Sequence, residues 1–408
     1  MKVLYLIIPL SLILSVSESE AQINGCTDPL AVNYNQAAII NDGSCIYSTG
    51  NIKPLSSFTL AGTLSETSGL IFWNDHLWTQ NDNTDINIYC LDTINGKIIQ
   101  TYPLNGIENK NWEEISQDED YIYAGDFGNN SGNRTDLKIF RISKNSLLNE
   151  LPVIDLIEFS YSDQSDFTSD EGNTDFDCEA FVASNDSLYL FTKQWVSNKT
   201  SVYSLSKNPG NYIAKLRSTF DVGGLITGAV YLESKKIIAL SGYSNTLDPF
   251  IYLLYDFKDH DFFSGNKRKI EISLPFHQVE GIATKDGIKY YISNESFSFE
   301  PFVNVSSKLH IFDLSPFLGI YLNLPIPYPD SRNKFIIYPV PVHNFITIRS
   351  YPDLLPADYA FINLSGQIVK TGRLDEGYSS IDISGLASGT YIIRIGGKKK
   401  YSYKIVKD

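Results

Sequence analysis

Acidic side chains recur at equivalent places in the middle of this chain of 408 residues. A small or acidic pair followed by an apolar residue occurs five times, at Ser68-Gly69-Leu70, Glu113-Glu114-Ile115, Glu179-Ala180-Phe181, Gly228-Ala229-Val230 and Glu280-Gly281-Ile282. About a dozen residues later each repeat has a polar or glycine-containing pair, namely Asn81-Asp82, Gly125-Asp126, Thr192-Lys193, Ser241-Gly242 and Asn294-Glu295. Converging carboxylates bind Ca²⁺ or polarise a substrate. The repeat therefore predicts a ligand or Ca²⁺ site formed by Glu113, Asp126, Glu179, Glu280 and Glu295, and it indicates no other cofactor.

The same carboxylates also have a purely structural interpretation. Buried acidic groups often accept hydrogen bonds from loop amides, and here they would do so between repeats. Signatures of a complete catalytic site are missing from the sequence, which contains no G-x-S-x-G, no H-E-x-x-H and no phosphate loop. The five histidines are scattered along the chain. The sequence thus leaves open whether the protein is an enzyme.

The elements that must position these residues are β-strands arranged in repeats. A β-rich run precedes each later pair, and a third and a fourth run follow in most units. Four strands per unit, at intervals of roughly 45–65 residues, are typical of β-propeller blades, whereas an open β-sandwich does not repeat a motif at one offset. Five units are visible between residues 55 and 317, and the long second interval leaves room for a sixth, divergent blade. The candidate carboxylates would then lie at inner-strand ends around the central channel.

The last repeat has a gap that the start of the chain can fill. Its fourth strand is missing, and Ser57-Phe58-Thr59-Leu60-Ala61 lies upstream of the first repeat. Such closure would join the two ends of the propeller and remove the exposed sheet edges that favour aggregation.

Composition restricts the partners. The formal net charge is −14, from 47 acidic and 33 basic side chains. Nucleic acids and anionic membranes attract basic patches, so neither is expected as the main partner. Hydrophobic residues make up 43% of the chain, which is enough for real cores. The 26 Tyr and 23 Phe favour β-structure.

The first residues predict export. Met1-Lys2 is a short basic start, residues 3–16 are almost wholly apolar, and Ser19-Glu20-Ala21 supplies small residues where a signal peptidase cleaves. We interpret residues 1–21 as a secretory signal peptide rather than an anchor, because the apolar run is shorter than the ~20 residues that a span needs. No later segment is long and apolar enough, so we expect no transmembrane span in the mature chain.

Cysteines and turn residues mark a small module over residues 22–54. Cys26 and Cys45 bracket it, and an oxidising compartment favours a disulfide between them. Cys90 and Cys178 are expected to be buried thiols. The G-C-T-D-P, N-Y-N and D-G-S-C-x-Y elements resemble a short cysteine module of exported proteins from Bacteroidetes-type bacteria. Its carboxylates Asp28 and Asp42 are either Ca²⁺ ligands or parts of a stapled spacer with Asx-turns.

A second all-β unit is predicted at the C-terminal end. A proline-rich linker over residues 318–333 leads to strand and turn patterns over residues 334–408, which suit a small β-sandwich. This part resembles the C-terminal sorting domain of the type IX secretion system, through Ile337-Tyr338-Pro339-Val340-Pro341, Asn363 to Val369, Ile383 to Tyr391 and Lys404-Ile405-Val406. Val340 departs from the family, which usually has Asn between the prolines.

The resemblance to sorting domains has consequences for residues and for location. It assigns the sorting motif to Pro339, Pro341, Gly366, Gly389 and Tyr391. It implies that the chain interacts with the secretion machinery of the outer membrane. The resemblance also implies that the domain is then removed and that the protein is extracellular or attached to the outer cell surface.

Two functions follow as expectations. The first is an exported binding protein for a glycan, a protein or a small molecule on the channel face, with Trp73, Trp78, Trp112 and Trp195 as aromatic platforms. The alternative is a calcium-assisted hydrolase of a phosphoester or lactone. It is suggested by the W-E-E-I, G-D-F-G-N-N, E-T-S-G-L and I-S-N-E elements, which resemble exported phytase-like and lactonase-like propellers.

Overall fold

The protein is all-β apart from two short α-helices and 3₁₀ turns among the residues described by the computed structural model. These are residues 23–184, 186–322, 335–338, 341–342, 344–350, 354–375, 378–396 and 400–408. The predicted signal peptide and Pro339 of the sorting motif lie outside them. The described chain begins with four short strands, β1 (Asn24–Gly25), β2 (Ile40–Asn41), β3 (Gly50–Ile52) and β4 (Ser56–Thr59).

Five antiparallel groups of strands follow, and we number them as sheets 1 to 5 in chain order. The outermost strands of sheets 2 and 3 also pair in parallel, with Ile157 opposite Gly210, so these two sheets are continuous at their outer edges. Sheet 1 contains β5 (Thr67–Trp73), β6 (His76–Asn81), β7 (Asn87–Leu91) and β8 (Ile98–Pro103). Sheet 2 contains β9 (Trp112–Gln117), β10 (Tyr121–Asp126), β11 (Lys138–Ser143) and β12 (Ile154–Tyr161), with helix α1 (Lys144–Leu148) before its last strand. Sheet 3 contains β13 (Asp177–Ala183), β14 (Ser187–Lys193), β15 (Thr200–Ser206) and β16 (Gly210–Phe220).

Sheets 4 and 5 continue the pattern. Sheet 4 contains β17 (Leu225–Leu232), β18 (Ile237–Tyr243), β19 (Pro249–Tyr255) and β20 (Asn266–Ile272). Sheet 5 contains β21 (Val279–Thr284) and β22 (Lys289–Asn294), a small hairpin of β23 (Phe297–Phe299) and β24 (Val303–Val305) inserted after them, and then β25 (Lys308–Asp313). Helix α2 (Ser315–Leu322) ends this part of the chain.

The first strands of the five sheets form a closed ring. Strand β5 contacts β9, β9 contacts β13, β13 contacts β17, β17 contacts β21, and β21 contacts β5. A separate hydrophobic cluster fills the space between each pair of neighbouring sheets, including sheets 5 and 1. Sheets packed face to face around a common axis are the arrangement of a β-propeller, and burial of their apolar faces is the main force that holds the ring together.

The ring is closed by the strand that the sequence suggested. Strand β4 pairs antiparallel with β25 as the fourth strand of sheet 5, with Ser57 opposite His310. The Ser57 Oγ and His310 Nδ1 atoms are 2.7 Å apart, and His310 Nε2 lies 2.8 Å from Asn294 Oδ1. The prediction that an upstream strand completes the last repeat is confirmed.

The N-terminal cysteine module packs against sheet 4. The predicted disulfide joins Cys26 and Cys45. Strand β3 adds to the outer edge of sheet 4 by pairing with β20. The Asp28 carboxylate accepts hydrogen bonds from the hydroxyls of Tyr255 (2.5 Å) and Tyr47 (2.7 Å) and from the Leu30 N–H. The module is therefore docked on the propeller and differs from a free spacer.

Two boundaries can be compared with the sequence predictions. Residues 318–322 were expected to belong to the linker, but they continue helix α2, where Leu318 and Ile320 are buried. Apolar side chains make this stretch pack against sheets 4 and 5 rather than extend into solvent. The cysteines at positions 90 and 178 are buried free thiols, as predicted.

The C-terminal part has its own core. Its strands are β26 (Phe335–Tyr338), β27 (Phe345–Ser350), β28 (Ala357–Asn363), β29 (Ile368–Leu374), β30 (Tyr378–Asp382), β31 (Gly389–Ile395) and β32 (Tyr401–Lys407). They form a three-stranded sheet in the order β26-β27-β30 and a four-stranded sheet in the order β29-β28-β31-β32. Side chains from both sheets, such as Ile346 and Ile393, share one hydrophobic cluster. Two sheets over one core are the arrangement of a small β-sandwich.

Candidate functional site

A β-bulge near the start of the inner strands positions the candidate glutamates. Pairing shifts by one residue after Cys178 in sheet 3 and after Val279 in sheet 5, and a corresponding shift occurs opposite Trp112 in sheet 2. The next residue in each strand is a glutamate, at positions 113, 179 and 280. Bulges redirect a side chain, and they are common beside functional sites. The three glutamates are buried, with 4–6% of their surface exposed.

The strand register corrects one of the sequence equivalences. Asp126 pairs with Trp112, just as Asn294 pairs with Val279 and Asn81 with Thr67. The residue that matches Asp82, Lys193 and Glu295 is therefore Phe127, and Asp126 stands one place earlier. The sequence comparison missed this because the bulge shifts the spacing between the paired strands. By the same register, the sheet 4 motif begins at Thr227 rather than Gly228.

Asp126 has a local role in the structure. Its fully buried carboxylate lies 3.0 Å from the Arg134 guanidinium and 3.7 Å from the Lys138 ammonium, and it accepts a hydrogen bond from the Asn111 N–H. The Phe127 ring points into the core between sheets 2 and 3. The structure therefore brings Glu113, Glu179, Glu280 and Glu295 together and pairs Asp126 with neighbouring cations instead.

Seven carboxylates converge at the end of the channel where the inner strands begin. We call this group the acidic mouth, and it consists of Glu66, Asp82, Glu113, Asp177, Glu179, Glu280 and Glu295. Among the described residues, the cation that interacts with this group is Lys193, whose Nζ lies 2.8 Å from Glu179 Oε1. The Lys193 ammonium also lies over the Trp195 ring, 4.5 Å from its centroid. The mouth thus has far more acidic groups than basic ones.

The protonation of the mouth reflects burial and mutual repulsion. Burial, followed by repulsion from Glu66, raises the pKa of Asp82 to about 7. Burial and the charge of Asp82 raise the pKa of Glu295 to about 8. The pKa values of Glu113, Asp177 and Glu280 are likewise raised, first by burial and then by neighbouring carboxylates. Perturbed carboxylates gathered in a cleft are typical of functional sites.

Three of these carboxylates are close enough to share one ion. Oxygen atoms of Glu66, Asp82 and Glu295 all lie within 4.8 Å of one another, and the three side chains are half-buried. Glu66 and Asp82 flank strands of sheet 1, whereas Glu295 follows β22 of sheet 5. Oxygen ligands of this kind suit a hard cation such as Ca²⁺. From the sequence, Glu295 was assigned to the candidate site, whereas Asp82 was placed only at the equivalent position of its repeat and Glu66 was not named as a ligand.

Glu114 closes the channel below the mouth. Its carboxylate accepts hydrogen bonds from the N–H groups of Ala229 (2.8 Å), Ile115 (2.9 Å) and Leu70, which belong to sheets 4, 2 and 1. The other inner strands carry small residues at this level, and a Cβ built on Gly228 would clash with the Glu280 carbonyl oxygen. The signal in the sequence that could have revealed this role is a single large residue, Glu114, at a repeat position where the other units have Gly or Ala.

The opposite end of the channel has a different character. A cavity of about 390 Å³ opens there between the far ends of the inner strands, with Phe72, Trp73, Gln117, Tyr231 and Lys285 in its walls. The four tryptophans are divided among three environments. Trp78 and Trp112 are core residues with at most 1% exposure, Trp73 lines this cavity, and Trp195 lies at the acidic mouth. Two of the four expected platforms are therefore unavailable to a ligand.

The described residues of the sorting motif shape their own small domain. Gly366 takes φ +81° in the turn between β28 and β29, a conformation that favours glycine. The hydroxyl of Tyr391 donates to the Ala387 carbonyl at 2.7 Å. Gly389 begins strand β31, and the exposed Pro341 precedes Val342, whose N–H donates to the carbonyl of Val406.

Comparison with known families bears on this C-terminal part. Residues 336–408 match the family model described as secretion system C-terminal sorting domain. This segment is a type IX secretion sorting domain. The chain is accordingly exported to the cell surface or the extracellular space, and its sorting domain implies an interaction with the secretion machinery. The predicted export and the predicted interaction with the secretion machinery are both confirmed.

Comparison with curated proteins and solved structures gives distant likenesses. No curated protein sequence matches the chain. One similar structure is PorZ, a surface component of the type IX secretion system of Porphyromonas gingivalis, with 11% identity over 90% of this chain and 48% of PorZ, and a TM-score of 0.35. This chain thus spans about half the length of PorZ.

Two further structures are similar over about two thirds of the chain. The WD40 repeats of RRP9 have 8% identity over 65% of this chain and all of theirs, with a TM-score of 0.33. A putative oxidoreductase (glucose dehydrogenase) of Thermus thermophilus has 11% identity over 63% of this chain and 99% of its own, with a TM-score of 0.36.

Within the described residues, no helix combines the length and the apolar character that crossing a membrane requires.

Proposed function

We propose that this protein is an exported binding protein, whose ligand site is the acidic mouth of a propeller completed by its five sheets. The group that the mouth recognises carries positive charge. One observation supports this most directly, namely that seven buried or half-buried carboxylates meet around one interacting lysine among the described residues. The glycan, protein or small molecule expected from the sequence would present an amine, a guanidinium or a bound metal ion to this end.

Physical chemistry favours such a ligand. Bringing carboxylates together away from water costs free energy, and part of that cost is removed when a cation enters. Electrostatic attraction is stronger in a partly buried site than on an open surface, because the effective dielectric constant is lower. The Trp195 ring beside the mouth already has the Lys193 ammonium over it, so the attraction for a ligand comes from the carboxylates.

Titration calorimetry on the full mature chain tests the proposal. The panel consists of Ca²⁺, spermidine, an oligolysine peptide and an amino-sugar oligomer, with neutral polysaccharides for comparison. We expect cationic ligands to bind and the double variant Glu113→Gln/Glu280→Gln to bind them at least tenfold more weakly. Asp155→Asn is the matched control, because it removes a carboxylate that pairs with Arg141 at the outer strand β12. The control should change affinity less than twofold.

The outcome that contradicts the proposal is equally clear. If neutral polysaccharides bind and the double variant binds them as tightly as the unaltered chain, the acidic mouth is not the ligand site.

The same preparations also test the alternative function, a calcium-assisted hydrolase. The raised pKa values of Glu113 and Glu280 favour this alternative, because protonated carboxyls can act as general acids. Turnover of a phosphoester or lactone that Glu113→Gln abolishes would favour the enzyme.

A further inference from the structure

The seam between the last and the first sheet brings three acidic side chains together. The Asp82 N–H donates to the Glu66 carbonyl at 3.1 Å, which holds the two loops of sheet 1 side by side. Across the seam, the Ser296 N–H donates to the Ser65 carbonyl at 2.7 Å. Because Ser65 and Ser296 directly adjoin Glu66 and Glu295, these backbone hydrogen bonds hold the carboxylates near one another. Their oxygens consequently lie within 4.8 Å of one another despite repelling.

A second observation concerns Glu280, which is buried beside these three carboxylates and has an oxygen atom without a partner. Glu280 is only 6% exposed, and its Oε2 atom has no hydrogen-bond partner among the described residues. Val279 lies opposite Asn294 at the open end of this antiparallel pair, so Glu280, one residue into β21, and Glu295, one residue beyond β22, are both near that end. Among the neighbouring charges, that of Glu295 acts most strongly on the Glu280 carboxyl, and that of Asp82 also acts on it. A buried polar atom without a partner is costly in a folded protein unless something binds it.

We infer that Glu66, Asp82 and Glu295, with Glu280 beside them, bind a divalent cation, best fitted by Ca²⁺, that links sheet 1 to sheet 5. Ca²⁺ takes six to eight oxygen ligands in flexible geometry, so three or four carboxylates and several waters suit it. Mg²⁺ demands a tighter octahedron and keeps most of its water. The site rests on the proposed function in one respect, since it identifies the positive charge that the mouth takes up as a metal ion.

This cation would also stabilise the closed ring of sheets. Sheets 1 and 5 are joined by β4 at the outer edge of sheet 5, and the ion would add a second connection at the channel end. A ligand that binds only the folded state stabilises it, so the melting temperature should rise with the cation concentration.

Calorimetry and thermal melting on the full mature chain test the inference, after dialysis against a chelator. We expect Ca²⁺ to bind about one ion per chain, to raise the melting temperature by several degrees, and to bind at least tenfold more tightly than Mg²⁺. Glu66→Gln and Asp82→Asn should each weaken Ca²⁺ binding at least tenfold. In the chelator, both variants should melt at or above the temperature of the unaltered chain, because each removes one repelling charge, and this shows that they fold.

One control variant and two contradicting outcomes separate the possible results. Asp155→Asn should leave Ca²⁺ affinity within twofold. If Ca²⁺ gives neither heat nor a melting shift, the inference is wrong, and binding of spermidine would then leave the proposed function standing. If Ca²⁺ binds but Glu66→Gln and Asp82→Asn leave its affinity unchanged, the ion lies elsewhere and the assigned ligands are wrong.

Discussion

Glu114 shows how one side chain can hold the centre of the ring. Three inner strands direct backbone N–H groups at its buried carboxylate, and the neighbouring glycines leave no other side chain to accept these hydrogen bonds. Glu113, its immediate neighbour, instead enters the acidic mouth and accepts a hydrogen bond from the Asn111 side chain at 2.6 Å. The two adjacent glutamates therefore have different roles. Glu114 stabilises the fold through its hydrogen bonds, whereas Glu113 belongs to the acidic mouth.

This difference predicts opposite outcomes for two equivalent substitutions. Glu114→Gln places an amide NH₂ against backbone N–H donors, and leaving buried donors unpaired should lower the free energy of unfolding by about 2 kcal/mol. Glu113→Gln keeps a side-chain oxygen that can accept the hydrogen bond from the Asn111 side chain and leaves no backbone donor unpaired, so its effect should stay within about 0.5 kcal/mol. Chemical denaturation of both variants measures this. Equal destabilisation by the two substitutions would contradict the assigned roles.

At the scale of elements, the strand that closes the ring contains a pH-sensitive contact. His310 on β25 is fully buried between Ser57 of β4 and Asn294 of β22. Burial, reinforced by the neighbouring His277 and Lys308, lowers the pKa of His310 to about 3. The folded state thus keeps this imidazole neutral, whereas the unfolded chain protonates it near its usual pKa of about 6.5.

The sign of the effect follows from linkage. Below pH 6.5 the unfolded state binds a proton that the folded state does not, so His310 should cost up to about 1.4 kcal/mol of stability for each pH unit between 6.5 and 3. His310→Gln retains hydrogen-bonding capacity without this titration and should flatten the loss of stability. His76→Gln is the control, on a half-exposed histidine of β6. Denaturation midpoints from pH 7 to pH 4 check the difference, and identical slopes for all three proteins would refute it.

The elements also show what sequence could and could not predict. Strand runs, the repeat and the closing strand followed from periodicity and from a missing strand, which depend on local pattern alone. The position of Asp126 could not be predicted in this way. A bulge in β9 changes the pairing by one residue, so that Phe127 and not Asp126 occupies the position equivalent to Glu295. Asp82 was placed at the same repeat position as Glu295 but was not assigned to the site, and Glu66 was not named as a ligand, because the proximity of these residues arises only when the first and last sheets meet.

At the scale of the whole molecule, the propeller and the sorting domain have independent cores. The C-terminal cluster contains residues between 335 and 405 only, whereas the clusters of the propeller and its docked cysteine module contain residues up to 322. The propeller is also closed by its own strand β4 and by the disulfide-linked module on sheet 4. Cores that share no residues can fold separately.

Deleting residues 334–408 should therefore leave a folded propeller that fails to reach the cell surface. The predicted signal peptide would still direct the truncated chain across the inner membrane, but the sorting domain that the outer-membrane machinery uses would be missing. Fractionation of cells that express the full-length or the truncated chain, combined with limited proteolysis, measures both expectations. The truncated chain should be periplasmic and resistant to protease, while the full-length chain should be at the surface or in the medium.

Fusing residues 334–408 to an unrelated periplasmic protein is the matched control and should send that protein out of the cell. Equal surface amounts of the two forms would show that export does not depend on this domain, and a truncated chain that is rapidly digested would show that the propeller needs the sorting domain to fold.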